Sequence, residues 1–532
     1  MRSPRRAPSV VVLAVSLLLP VAGPAAADPA AADPAVVSPL APALNPYFAQ
    51  ELAWGPCTDL ARTDVDREAY ANPQYDCAYL EVPLDYGDPS ASTARIAMLR
   101  QKALDPAARV GSLFVDPGGP GGSGVSFLPA LAGLLGDGEV ARRFDLIGFD
   151  PRGVGVSEPS IDCSTTEEVD AERADLDLDT SPEGVAQTEA EFQEFADRCA
   201  ERVGLDVLEN VGTRDVARDL QIAHEVVGDP QLTYLGYSYG TSIGTEFAEQ
   251  FPTEVRALVL DGAVDPSLDP VASRTTQTRG FQRAFDSFAA SCAAQPDCPL
   301  GTDAAGASAQ VQELLTPLID APVPTADGGR VLGYADAVTG MIQALYADSL
   351  WPPLLDGLRQ VARGDGTNLL ILADLYYDRA PDGSYGNLLE AFPSISCMDG
   401  DRLTDRAVAR EVNEANLALA PFLDAGYGSS DVLELCSFWP VPPTSDSGPV
   451  GAPGLPPVLV ASSTGDPATP YEDGVSLARQ LSARLLSVDN DGHTVVLQGV
   501  NACADEVTTR YLVDLVLPPT DTTCARPPAP AP

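Results

Sequence analysis

Leu232-Thr233-Tyr234-Leu235-Gly236-Tyr237-Ser238-Tyr239-Gly240-Thr241 reads as a strand that breaks into a turn and restarts as a helix. Leu232–Leu235 is a short apolar run of strand type. From Tyr239 to Gln250 the pattern is helical, and it stops before Pro252. The turn between them is G-x-S-x-G. Five such residues match many chains by chance, and an ordinary serine on a glycine-rich turn is the bland alternative. The strand before and the helix after give the match its weight. A serine in such a turn has a strained backbone. The residues two before and two after must be small, or their side chains collide, and Gly236 and Gly240 meet that need. The turn lifts the hydroxyl above the strand end and sets it at a helix N-terminus, whose positive end favours developing negative charge. Ser238 is therefore the candidate nucleophile.

Working outward, strand and helix patterns alternate. Tyr79–Pro83, Ile96–Arg100, Ser112–Val115, Phe144–Phe149 and Val255–Leu260 read as strands. Thr213–Val227 carries Val216, Leu220, Ala223 and Val227 at helical spacing. This rhythm predicts a doubly wound, mostly parallel α/β sheet. It breaks between about Asp265 and Val441. There Phe281, Phe285 and Phe288 recur at helical spacing, as do Leu314, Leu315 and Leu318, and again Leu369, Leu372, Leu375 and Tyr376. Such stripes predict the core faces of an inserted, mainly helical cap rather than a cofactor site. After a Ser/Gly/Pro-rich stretch, Thr444–Pro457, the strand Pro457–Ser462, the helix Gly474–Leu481 and the strand Arg484–Val488 resume the sheet. The expected organisation is a signal peptide at 1–27, an Ala/Pro-rich leader at 28–53, the sheet domain at 54–265 and 446–532, and the cap at 266–445. Of the leader, Asp28–Leu44 reads as flexible. There are no internal repeats.

Composition narrows the possibilities. The chain has 532 residues, 45% hydrophobic and 20% charged, which excludes a mostly disordered or fibrous protein. With 32 basic and 76 acidic residues the formal charge is −44, so nucleic-acid phosphates are repelled over most of the surface and no nucleic-acid partner is expected. Arg2, Arg5 and Arg6, the apolar run Val10–Ala22 and Ala25-Ala26-Ala27 are the three parts of a secretory signal peptide. A membrane anchor is the weaker reading, because the run is short and Pro20 interrupts it. The expected product is secreted, free outside the cell or held at its wall, with no stable membrane insertion.

Export makes the ten cysteines informative, because disulfides are the default in an oxidising compartment. Pairing neighbours keeps each loop local and gives 57–77, 163–199, 292–298, 397–436 and 503–524. A zinc site is disfavoured by the absence of C-x-x-C and by a total of two histidines. No metal or other cofactor is expected.

A serine hydroxyl needs a base, and histidine is the usual one. His224 lies in the amphipathic helix before the nucleophile strand and reads as a structural or solvated residue. His493, in Asp491-Gly492-His493-Thr494, sits in a loop after a late strand, where the base belongs. The imidazole in turn needs an acid to fix its tautomer. With the order serine, acid, histidine, Asp466 in Thr464-Gly465-Asp466-Pro467-Ala468-Thr469-Pro470 is preferred. Asp261 and Asp265, after the strand Val255–Leu260, are the alternatives. Oxyanion donors are expected from the N–H of Tyr239 and from the loop Gly118–Gly124, where glycine lets backbone approach a ligand. That loop lacks the Gly-Lys-Ser/Thr and the spacing of nucleotide-binding loops.

Seven stretches, in order, carry a family resemblance. They are Pro117-Gly118-Gly119-Pro120-Gly121-Gly122-Ser123-Gly124, Asp150-Pro151-Arg152-Gly153-Val154-Gly155, Gly236–Thr241, Leu260-Asp261-Gly262-Ala263-Val264-Asp265-Pro266, Ile395-Ser396-Cys397-Met398-Asp399, Gly465-Asp466-Pro467-Ala468-Thr469-Pro470 and Asp491-Gly492-His493. Together they resemble the secreted bacterial tripeptidyl aminopeptidases, serine exopeptidases of the α/β-hydrolase fold related to proline iminopeptidases. The resemblance implies Ser238 as nucleophile, Asp466 as acid and His493 as base. Pro117 stands where proline iminopeptidases have the histidine of His-Gly-Gly-Pro-Gly, which leaves the second oxyanion donor to Gly119. The family releases short peptides, often three residues, from a free N-terminus. Peptides with a free N-terminus are thus the implied partners, and a carboxylate should meet the substrate ammonium. Asp399 is the candidate, with a solvated or capping role beside a disulfide as its alternative. A carboxylesterase or lipase-like hydrolase with the same triad is the competing reading. A catalytically silent binding protein is disfavoured because such relatives usually lack a triad member.

Overall fold

The computed structural model describes residues 41–326, 328–445 and 447–526. The expected signal peptide and residues 28–40 of the expected leader lie outside them. The strands are β1 (Tyr75–Pro83), β2 (Thr93–Gln101), β3 (Gly111–Asp116), β4 (Phe144–Phe149), β5 (Leu232–Tyr237), β6 (Val255–Asp261), β7 (Val323–Pro324), β8 (Val331–Leu332), β9 (Leu459–Ser463), β10 (Arg484–Val488) and β11 (Thr522–Cys524). Nine of them form one sheet in the order β1-β2-β4-β3-β5-β6-β9-β10-β11, and β7 and β8 form a separate hairpin. Within the sheet β2 runs against both neighbours, and the remaining pairs are parallel. The sheet is thus the expected mostly parallel, doubly wound α/β-hydrolase architecture.

Alternation along each strand builds two cores. Phe114, Ile147, Tyr234, Leu258 and Val460 face the helices Thr213–Val226, Gly240–Gln250 and Tyr471–Gln480, which contribute Val216, Leu220, Ile243, Phe247 and Leu477. Leu113, Val115, Leu146, Leu235 and Val259 face the other way, against Val125, Leu128 and Leu131 of the helix Gly124–Leu135 and Tyr511 and Leu512 of the helix Ala502–Asp514. The strand order reverses at β3, which makes the C-terminal ends of β3 and β5 the topological switch point where sheets of this kind bind their ligands.

Helices and the small β7–β8 hairpin make up the segment between β6 and β9, and the helices' apolar stripes pack into a third core. Phe281, Phe285, Phe288, Leu315, Leu318, Leu369 and Leu372 are buried in it. Leu375 corrects the expectation: it is 59% exposed, because it shares the outward face of the helix Thr367–Tyr376 with Ile371. The helices Thr166–Ala174 and Pro182–Arg202, between β4 and β5, form an excursion on the cap side of the first sheet segment. Buried Arg173 joins it to the cap, donating to Asp336 at 2.8 Å, to Asp374 at 3.0 Å and to the Tyr385 hydroxyl at 2.8 Å. The end of the expected flexible leader also has structure. Residues Ala41–Phe48 are helical, and the buried Tyr47 hydroxyl donates to the Pro89 carbonyl at 2.8 Å. The ten cysteines form Cys57–Cys77, Cys163–Cys199, Cys292–Cys298, Cys397–Cys436 and Cys503–Cys524, the neighbour pairing that locality favours.

Candidate active site

Ser238 follows β5 directly, with φ at 55°. A left-handed conformation is costly for a residue with a Cβ, and it persists where its surroundings over-determine it. Here they do. Any side chain at Gly236 would run into the Gly240 carbonyl, and one at Gly240 would lie 2.8 Å from Asp116 Oδ1. The Thr241 hydroxyl donates to the Ser238 carbonyl at 2.6 Å, and the Ser238 N–H donates to the Asp261 carbonyl at 2.9 Å. The loop after β3 presses on the same turn. A Cβ on Gly118 would sit 2.8 Å from the Ser238 Cβ and 3.0 Å from the Tyr239 nitrogen. Among the described residues, the N–H groups of Gly119 and Tyr239 donate to no protein acceptor.

Strands β9 and β10 are parallel neighbours, so the loops at their C-terminal ends lie side by side. That places His493 Nδ1 2.9 Å from both oxygens of Asp466. The Asp466 carboxylate is buried and well supplied with donors. The N–H groups of Ala468 and Thr469 reach Oδ1 at 2.9 Å, and the Thr469 hydroxyl reaches Oδ2 at 3.1 Å. Burial alone would hold the imidazole neutral. The Asp466 charge and hydrogen bond, helped by Asp261, outweigh it and raise the His493 pKa above 6.5.

Asp261 takes a different part from the one weighed for it. Its Oδ2 accepts the N–H groups of Val495 at 2.6 Å and Val496 at 2.9 Å, while its carbonyl holds Ser238. One residue thus ties the serine turn to the segment just after His493. Burial pushes its carboxyl up to about 7, against those two backbone donors. Asp265 accepts from Ser267 and Gln480 and plays no part in the dyad. His224 is a buried structural histidine, held by the Asp229 carbonyl at 3.0 Å and by Gln221 Oε1 at 3.2 Å.

Asp399 reaches the turn from the cap. Its Oδ2 accepts the Tyr239 hydroxyl at 3.0 Å and also the Thr213 hydroxyl, and Oδ1 accepts the Thr213 N–H at 2.8 Å. Burial pushes its carboxyl up to about 6, opposed by Thr213 and Tyr239. The residue as a whole is half-buried, with both carboxylate oxygens already accepting hydrogen bonds from the turn and from Thr213.

Two residues that the structure places at the site escape the sequence reading. Thr469 braces acid and base together, with its hydroxyl 3.2 Å from His493 Nδ1 as well. Its spacing of three from Asp466 is the turn-like signal that points to it. Asp116, ending β3, is buried beneath the loop and the turn. Its Oδ1 accepts the Gly118 N–H at 2.9 Å, and its Oδ2 has no partner among the described residues. Burial pushes its carboxyl up to about 8. A charged residue closing an otherwise apolar strand is its sequence signal.

Residues 112–500 match the alpha/beta hydrolase fold family. The chain is 43% identical to "Serine protease Hip1" of Mycobacterium tuberculosis over 493 residues, covering 90% of this chain and 92% of that one. It is 42% identical to "Carboxylesterase B" of the same organism over 527 residues, 98% of this chain and 99% of that one. It is 32% identical to the "Tripeptidyl aminopeptidase" of Streptomyces lividans over 466 residues, 84% and 83% of the two chains. A strained serine turn, a carboxylate-held imidazole at the neighbouring strand ends and relatives of this length and identity lead to one assignment: the chain is an α/β-hydrolase-fold serine hydrolase of the family that includes the Streptomyces tripeptidyl aminopeptidase.

Proposed function

We propose that the chain is a secreted aminopeptidase that releases short peptides, tripeptides foremost, from free N-termini through an acyl-enzyme on Ser238. The observation that carries the chemistry is the Asp466–His493 pair at 2.9 Å, tied through Asp261 to a serine at φ 55°. Asp466 fixes Nδ1 as the protonated nitrogen, so Nε2 is the free base. His493 Nε2 takes the Ser238 proton as the hydroxyl oxygen attacks the scissile carbonyl. The N–H groups of Gly119 and Tyr239 receive the oxyanion. Collapse breaks the peptide bond, and the imidazolium returns its proton to the leaving amine. His493 then deprotonates a water, which attacks the acyl-enzyme; as the ester bond breaks, the imidazolium returns that proton to the Ser238 oxygen, freeing the N-terminal peptide and the serine. Asp399 supplies the negative charge for the substrate ammonium, and five disulfides suit an exported protein.

A carboxylesterase using the same triad is the second reading, favoured by the relative of that name. Substrates with a free N-terminus separate the two. Chromogenic Ala-Pro-Ala-type tripeptides should turn over, N-blocked versions should not, and Ser238→Ala should abolish both peptide and p-nitrophenyl ester hydrolysis. Asp399→Asn should raise KM for the free tripeptide and leave ester KM alone. Ester turnover with no preference for free N-termini would defeat the aminopeptidase reading. Retained turnover in Ser238→Ala would defeat both.

A further inference from the structure

The sheet does not hold the acid and base loops by itself; the cap grips each of them. On the acid side, Gly280 of the helix Pro270–Ala293 lies so close that any side chain there would run into the Pro467 carbonyl. Nearby, Gln277 Nε2 donates to the Ala468 carbonyl at 3.1 Å, and Ala468 is itself buried in the cap core. On the base side, the His493 N–H donates to the Tyr346 carbonyl at 2.7 Å, just past the helix Tyr334–Leu345. Ala347 and Gly492 form an isolated antiparallel bridge. The Tyr346 ring stands edge-on to the imidazole with centroids 5.5 Å apart, and Phe281 braces that ring in turn at 5.4 Å. Gly280 and Phe281 are consecutive, so one turn of one cap helix backs both loops.

We propose that Tyr346 is a positioning residue for His493, and that the cap, beyond covering the site, holds the imidazole between Asp466 and Ser238. The proposal rests on the triad reading. A single hydrogen-bonded edge leaves an imidazole free to rock about Nδ1. The Tyr346 ring limits that motion from the side, and its carbonyl pins the backbone that carries the ring. A cap that only binds substrate acts on KM for peptides. A cap that positions the base acts on kcat, even for a substrate too small to touch it.

The test uses the full chain, p-nitrophenyl acetate, and the variants Tyr346→Ala, Tyr346→Phe, Gly280→Ala and Ser238→Ala. Misplacing a catalytic group by about 1 Å can cost on the order of a hundredfold in rate, so Tyr346→Ala should lower kcat by about tenfold or more with KM within about twofold. Tyr346→Phe should restore wild-type kcat, because the ring acts and not the hydroxyl. Gly280→Ala removes no His493 contact, yet should lower kcat in the same way by pushing the helix off Pro467. It serves as the second reading should Tyr346→Ala fail to fold. Wild-type kcat in folded Tyr346→Ala and Gly280→Ala would overturn the proposal, and so would a Phe variant as slow as the Ala one. If Ser238→Ala is dead while both cap variants turn over normally, only the positioning role falls. If Ser238→Ala still turns over, the triad reading falls first.

Discussion

At the scale of single residues, the proposed mechanism makes the protonation of two groups near the serine turn, His493 and Asp116, the source of the two limbs expected in the pH profile. In the proposed mechanism His493 must be neutral to act as base, and its pKa is raised, so kcat/KM for an ester should climb with pH through a value above 6.5. Asp116 is the group expected to set the other limb. At neutral pH its carboxyl is protonated, because burial outweighs the Gly118 N–H and Asp150 adds repulsion. Above about 8 it ionises behind the oxyanion loop with no counter-ion, where a negative charge opposes the one forming on the substrate. The other titratable groups coupled to it are the phenols of Tyr234 and Tyr239, both raised well above 10 by burial, so they stay neutral through this range. Asp116→Asn keeps the acceptor for Gly118 and loses the titration. Its activity should match wild type near pH 7 and fail to fall through pH 8 to 9.5, measured as ester kcat/KM. Stability follows the same sign. The folded pKa lies above the unfolded 3.8, so the unfolded chain gives up its proton first and wild-type stability falls as pH rises from about 4 to about 8. At pH 7 Asp116→Asn should therefore melt higher than wild type. An alkaline limb unchanged in Asp116→Asn would assign it to another group.

At the scale of elements, the Asp150–Gly155 stretch shows how a motif can be structural and still shape a site. Arg152 is buried, and all five of its N–H donors are used: two on Asp219 at 2.6 and 2.8 Å, and the others on the carbonyls of Pro83, Leu84 and Asn210. It locks the turn after β1, the loop after β4 and the helix Thr213–Val226 into one unit. Asp150 does the same for the helix Gly124–Leu135, accepting from the Ser123 hydroxyl at 2.6 Å and the Val125 N–H at 3.0 Å. Arg152→Leu leaves Asp219 buried without its counter-ion, a loss of about 3–5 kcal/mol that urea unfolding should report. A loss below 1 kcal/mol would mean water reaches Asp219. Such elements were legible in part. The serine turn, the strands around it and the loops that bring Asp466 and His493 together were legible from local pattern, because glycine spacing and apolar runs are local signals. The excursion 166–202 did not declare which body it joins, because an amphipathic helix shows that it packs and not against what. The contact between Asp399 and Tyr239 joins residues 160 apart, and the cap's hold on the dyad depends on backbone carbonyls, which leave no mark in side-chain composition.

At the scale of the whole molecule, each disulfide joins two residues within 266–445 or two residues outside that segment, and none links the segment to the rest. The seat of the cap on the acid and base loops is therefore non-covalent. It also joins parts of a very acidic chain: with 76 acidic and 32 basic residues, at least 44 carboxylates have no basic residue to pair with one-to-one. Surface ion pairs contribute little each, so net repulsion decides the sign of the salt effect. Raising NaCl from about 0.01 M to about 0.15 M shortens the screening length from about 30 Å to about 8 Å, which relieves repulsion between bodies while leaving buried contacts nearly untouched. Both the melting temperature and the urea concentration that halves ester turnover should rise over that range and then level off. Because the cap holds the base, turnover should be lost at lower urea than the sheet domain's secondary structure, and salt should narrow that gap. Loss of activity and of secondary structure at the same urea concentration, at every salt level, would show that cap and sheet unfold as one unit.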